Sequence, residues 1–188
     1  MSLASLVSIT PETHGLEIDL AYATADNITG QPIYRQAHCL LLAQAEAALR
    51  RAVNIARQAG CTLRIFDAYR PPQAQQALWN FLPDARYVAD PRQGSNHSRG
   101  TAVDLTLIDT DGQALDMGTG FDDMTLASAH FHDGLPQAIQ RNRLLLLGIM
   151  NAAGFAHISS EWWHYELPGS RTALPLIEDG AGHTLRLM

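Results

Sequence analysis

Two short stretches carry residue types that can do chemistry together. In Ser95-Asn96-His97-Ser98-Arg99-Gly100-Thr101-Ala102-Val103-Asp104 an imidazole precedes a carboxylate by seven positions. In Glu161-Trp162-Trp163-His164-Tyr165 a carboxylate precedes an imidazole by three. Two imidazoles and one carboxylate are a common ligand set for a catalytic zinc, which keeps a fourth position for the water that does the chemistry. His97, Asp104 and His164 are therefore the predicted metal ligands. Glu161 is left over, three residues before a ligand, as the acid/base that takes a proton from that water.

Each feature also has a plainer reading. A lone Glu-x-x-His arises by chance, with Trp162 and Trp163 as core aromatics and His164 as a hydrogen-bonded buried imidazole. Its combination with His97 and Asp104 favours the metal. Arg70 alone reads as a surface arginine after a strand. Beside a metal, a guanidinium fixed at a strand end could instead hydrogen-bond the oxyanion formed when water attacks a carbonyl. Ser95 suits a cap better than a substrate contact on sequence grounds. Asp122 and Asp123, by themselves, read as a solvated acidic turn. His130 and His132, around Phe131, are a rival metal pair, but no acidic or thiol partner follows at a convincing spacing.

The elements that must position these groups follow from periodicity. The run from about Leu40 to Gln58 places Leu41, Ala45, Ala48, Leu49, Ala52, Val53 and Ala56 on one face and stops at Gly60, predicting an amphipathic helix with a glycine cap. Alternation over Leu16–Leu20 predicts an early strand, and Thr62–Phe66 a second that leads into Asp67-Ala68-Tyr69-Arg70. Pro71-Pro72 can open a helix toward Phe81. Thr101–Ile108 is β-branched and apolar enough for a core strand, closed by Asp109-Thr110-Asp111-Gly112. A further helix is expected from about Pro136 to Ala153, ended by Gly154, with strands at Phe155–Ile158 and Trp163–Leu167. On a regular strand Glu161 and His164 would face opposite sides, so a turn, kink or bulge is expected there. The fold class this predicts is α+β: a central antiparallel sheet flanked by helices, with the zinc site at the sheet.

Composition sets the bounds. At 188 residues and 46% hydrophobic, residues 1–188 are expected to form a single domain around one core. The net charge of −6, without a Lys/Arg cluster, argues against a nucleic-acid partner. No segment approaches a membrane span and the N-terminus lacks a signal-peptide pattern, so a cytoplasmic, unexported chain is expected, its oligomeric state open. Cys39 and Cys61 are expected as buried free thiols.

These residues, taken with Tyr22-Ala23-Thr24-Ala25-Asp26-Asn27, Asp67-Ala68-Tyr69-Arg70-Pro71 and Phe121-Asp122-Asp123-Met124, give the chain a strong resemblance to the D-alanyl-D-alanine dipeptidases, a branch of the zinc D,D-peptidases. The likeness runs from about Tyr22 to Leu167. It implies hydrolysis of the small dipeptide D-Ala-D-Ala, Zn2+ on His97, Asp104 and His164, Glu161 as base and Arg70 as transition-state stabiliser. It also implies that Tyr22 and Asp122 lie near the substrate ammonium and Ser95 near its carboxylate. The rival readings are a D,D-carboxypeptidase acting on peptidoglycan stems and a non-catalytic zinc-stabilised binding module.

Overall fold

The computed structural model describes residues 5–181 and 183–188. In chain order its elements are β1 (Leu6–Ser8), α1 (Pro11–His14), β2 (Glu17–Ile18), β3 (Leu40–Leu42), α2 (Ala43–Gln58), β4 (Thr62–Asp67), α3 (Pro72–Phe81), β5 (Ala102–Ile108), α4 (Gln137–Ala153), β6 (Ala156–Ile158), β7 (Glu161–Glu166) and α5 (Ser170–Ala173). The predicted helix at Leu40–Gln58 is split. Leu40–Leu42 form a strand antiparallel to β1, and the helix begins at Ala43.

The main sheet has the order β2-β4-β5-β7-β6. Strands β4, β5, β7 and β6 are antiparallel to their neighbours, as expected, while β2 adds a short parallel edge. Helices α2 and α4 cover one face. Ala45, Leu49, Ala52 and Ala56 from α2 and Leu146, Ile149 and Met150 from α4 meet Leu63, Ile65, Val103, Leu105 and Leu107 in one fully buried core. Removing that apolar surface from water is the main stabilising term. A second cluster gathers Tyr22, Tyr34, Leu40, Leu42, Tyr69, Leu78, Val88, Ile177 and Leu187 around α3 and the β1–β3 pair. Cys39 is buried, and burial pushes its thiol well up, whereas Cys61 is only half-buried; both are free.

Side chains alternate across a strand, so with Val103, Leu105 and Leu107 in the core, Asp104 must face the other way. Strand β4 would put Asp67 on the core side with Leu63 and Ile65, but its register to β5 shifts between Ile65 and Asp67. That bulge turns Asp67 to the face of Asp104 and makes the two residues direct cross-strand neighbours. On the far side His164 pairs with Asp104. One row across three strands therefore reads Asp67, Asp104, His164.

A buried candidate metal centre

The remaining groups are delivered to this row by breaks in regular structure. His97 sits in a single 3-10 turn (His97–Arg99) that ends at Gly100 in the left-handed region, φ 68°. A Cβ at that glycine would come within 2.8 Å of Leu6 Cδ2 and 3.2 Å of the Leu42 backbone nitrogen, so the bend at this position needs glycine. The irregularity predicted before His164 is present. Along β7, Tyr165 pairs with His157 but Glu161 already pairs with Ile158, leaving Trp162, Trp163 and His164 looped between them. Glu161 and His164 can then line one cavity although they stand three apart.

His97, Asp104 and His164 are buried, with one ligand atom from each within 4.8 Å of the others, and they are the group able to hold a metal ion among the described residues. His97 Nε2 lies 3.1 Å from His164 Nδ1 and 3.3 Å from Asp104 Oδ2; His164 Nδ1 lies 3.0 Å from Asp104 Oδ1. The outer nitrogens have acceptors of their own. His97 Nδ1 is 2.6 Å from the Ala68 carbonyl oxygen and His164 Nε2 is 3.1 Å from Glu166 Oε2. Both acceptors require the outer nitrogens to carry protons, so in neutral rings both inward nitrogens present lone pairs beside a carboxylate. Such a set needs a cation. Without a metal, a proton can supply it. Burial opposes the charge on His164, but Asp104 and Glu166 raise its pKa to about 10. Asp104 is in turn held well below the ordinary range by the two imidazoles, against the upward push of burial. A divalent metal satisfies the same electrostatic demand and leaves both rings neutral.

All eight sequence-predicted site residues, Tyr22, Arg70, Ser95, His97, Asp104, Asp122, Glu161 and His164, line one cavity of about 330 Å³. Arg70 is not a surface arginine. Nε donates to Asp67 Oδ2 at 2.8 Å, Nη1 to Gln75 Oε1 at 3.0 Å and Nη2 to Asp104 Oδ2 at 3.4 Å, and the guanidinium sits 4.8 Å over the Tyr22 ring. Nor is Asp122 solvated. It is buried, adopts φ 58°, a conformation uncommon for a non-glycine residue, and accepts from Tyr22 Oη at 2.8 Å. Burial raises its pKa to about 7 although Tyr22 and Arg70 pull it down. Burial likewise lifts Glu161 to about 8, opposed mainly by His164. Ser95 Oγ accepts from the His97 backbone N–H at 3.2 Å, a local turn one residue ahead of the helical cap position at Asn96, while lining the cavity. His130 does not line it; the ring stacks edge-on to His157 and Tyr165.

Sequence reasoning gave no role to several contributors. Asp67 is wholly buried and accepts from both Arg70 and Tyr34 Oη, the latter at 2.7 Å. Gln75 joins Arg70 to the loop at 84–95 through a 2.8 Å bond from Nε2 to the Ala89 carbonyl. Glu166 backs His164. The available signal was Asp67, three residues before Arg70 in a motif already singled out.

A buried His-Asp-His cluster beside a carboxylate with raised pKa and a clamped arginine defines a site of the metallopeptidase class. The family model of peptidase M15, described as D-ala-D-ala dipeptidase, matches residues 3–179, and the chain belongs to that family. It is 55% identical over 177 residues to a D-alanyl-D-alanine dipeptidase of Escherichia coli (strain K12), spanning 94% of this chain and 90% of the relative. Proteins of the same name from Enterococcus faecalis and Streptomyces coelicolor are 35% and 37% identical over 82% and 81% of this chain, which spans 87% and 86% of theirs. The chain is thus a peptidase of dipeptidase type. No helix among the described residues is long and apolar enough to cross a membrane.

Proposed function

We propose that this chain, residues 1–188 as one catalytic domain, is a zinc-dependent dipeptidase that hydrolyses D-Ala-D-Ala to two molecules of D-alanine. The observation that carries the reading is the buried cluster: two inward imidazole nitrogens and a carboxylate within 3.0–3.3 Å of one another, at the base of a cavity of dipeptide size. His97, Asp104 and His164 would hold zinc, the ion that suits imidazole and carboxylate ligands better than magnesium or calcium do. When bound, zinc acts as a Lewis acid on the scissile carbonyl and lowers the pKa of a water toward about 7.

The chain's own groups divide the remaining work. Glu161 accepts the proton released as water attacks the carbonyl and returns it to the nitrogen of the leaving D-alanine. Arg70, immobilised by Asp67, Gln75 and Asp104, hydrogen-bonds the oxyanion with a guanidinium that needs no reorientation. Asp122, supported by Tyr22, pairs with the substrate ammonium, and Ser95 lies toward the substrate carboxylate. A carboxylate dedicated to a free ammonium selects against acylated or longer chains, which would leave it buried and unpaired. This favours the dipeptidase over the D,D-carboxypeptidase reading. A cytoplasmic setting suits the two free thiols.

The deciding experiment measures D-alanine released from D-Ala-D-Ala, N-acetyl-D-Ala-D-Ala and a tripeptide ending in D-Ala-D-Ala, with and without a chelator. Release from the free dipeptide alone, abolished by chelation and restored by zinc, is expected. Comparable rates on the acylated substrate, or turnover indifferent to chelation, would overturn the proposal.

A further inference from the structure

The two imidazoles of the cluster are oriented by different means. His97 is fixed through Nδ1 by a main-chain acceptor, the Ala68 carbonyl at the end of β4. His164 is fixed through Nε2 by a side chain, Glu166 Oε2, at 3.1 Å. Glu166 lies two residues beyond His164 on β7, so strand alternation sends both side chains to the same face. Its neighbours across the strands are Ala102 on β5 and Ala156 on β6, whose small side chains leave room for the carboxylate to turn back onto the imidazole. The Glu166 side chain is 27% exposed and lines the cavity, so no demand of the core explains it there.

We propose that Glu166 is a positioning residue for the metal: it holds His164 with Nε2 protonated and Nδ1 turned toward His97 and Asp104, and so sets the affinity of the cluster for zinc. An ionised carboxylate only accepts, so it selects the tautomer whose free lone pair is on Nδ1. The other tautomer would point an N–H into the ligand cluster. Carboxylates that orient a ligating histidine in this way typically affect metal affinity 10- to 100-fold. This inference rests on the metal reading given above.

The test compares zinc dissociation constants by chelator competition for the wild type, Glu166→Ala, Glu166→Gln and His164→Ala, each checked for folding by circular dichroism. Glu166→Ala is expected to bind about 10- to 100-fold more weakly. Glu166→Gln, which keeps a neutral acceptor oxygen, is expected to lose about 3- to 10-fold. The visible spectrum of the cobalt-substituted Gln variant should shift, since the donor strength of His164 has changed. A folded Glu166 variant of either kind that binds zinc as tightly as the wild type overturns the proposal. If Glu166→Ala fails to fold, the Gln variant decides by the same criterion. Should the wild type bind no zinc, or His164→Ala bind it undiminished, the metal reading itself fails, a result distinct from failure of the Glu166 role.

Discussion

The cavity has two walls built on different principles. On the sheet wall the polar groups reach across elements as well as along the chain: His164 and His97 flank Asp104, Arg70 donates to Asp104 as well as to the nearby Asp67 and Gln75, and Tyr34 donates to Asp67. On the loop wall, formed by residues 84–95, the ion pairs are local repeats. Asp84 accepts from the backbone and guanidinium of Arg86, and Asp90 does the same for Arg92, with the arginine side chains 77% and 86% exposed. The row Asp67, Asp104 and His164 thus takes its geometry from strand register, which cannot slip by one residue without turning every side chain over, and His97 and Arg70 are brought to it by the segments at the strand ends. The loop wall orders itself and is tied to the sheet wall through Gln75.

The sharpest way to break this comparison is to remove sheet-wall groups one at a time. His97→Ala or His164→Ala should abolish turnover with stoichiometric loss of zinc, measured by metal analysis; full zinc retention would show that the ligand set is wrong. Glu161→Ala should keep the metal and lower kcat by about 10²–10⁴, the usual contribution of a general base. Near-normal kcat there would remove Glu161 from the chemistry. Asp67→Ala leaves Arg70 buried beside a missing partner, a change that typically costs about 3–5 kcal/mol. Denaturant unfolding should show that loss, and an unchanged midpoint would mean that Arg70 is held by Gln75 and Asp104 alone.

How much of each wall could be read in advance follows from the same division. The helices α2, α3 and α4 were legible because a 3.6-residue apolar period and glycine or proline boundaries mark them locally. The cluster of His97, Asp104 and His164 was legible because few other reasons exist for that combination of residue types and spacings. Asp67 was not, because the face it occupies depends on a bulge that only the pairing with β5 reveals. Leu40–Leu42 extended a helical pattern and were claimed for it, although their hydrogen bonds go to β1 and to Gly100. The tail after Pro168 carries no periodicity, yet Leu187 is fully buried and the Ile177 carbonyl accepts from Tyr69 Oη at 2.7 Å. Such long-range closure has no local signature.

Asp122 tests whether the cavity stores a cost. Its pKa, 3.8 in an ordinary setting, is raised by burial to about 7. Between those values the folded protein keeps a proton that the unfolded chain has released, so stability falls as pH rises from about 4 to about 7 and stays lower above it. Asp122→Asn, which tolerates the positive φ, removes the titration. With EDTA present, so that no bound cation moves the pKa, the variant should gain Tm at pH 8 and little at pH 4.5. The same substitution should bring kcat/KM for free D-Ala-D-Ala down toward that of the acylated dipeptide. Equal Tm changes at both pH values would refute the stored cost.

The smallest effect belongs to the loop wall and is the most discriminating for the comparison. Arg86 lines the cavity and Arg92 belongs to the same loop, and two exposed guanidiniums there could be mistaken for anchors of a charged ligand. Their partners, however, are two residues away and solvent screens the pairs, so exposed bridges of this kind contribute little. Arg86→Ala and Arg92→Ala should leave Tm unchanged and alter kcat/KM by no more than a few-fold, a change that fades as salt is raised because only long-range attraction is lost. Gln75→Ala gives the contrasting case from helix α3, since it cuts the bond between the Ala89 carbonyl and the Arg70 clamp and should lower kcat rather than raise KM. A large, salt-independent loss in Arg86→Ala would place that guanidinium among the reacting groups, and the division between a sheet wall that does chemistry and a loop wall that encloses it would no longer hold.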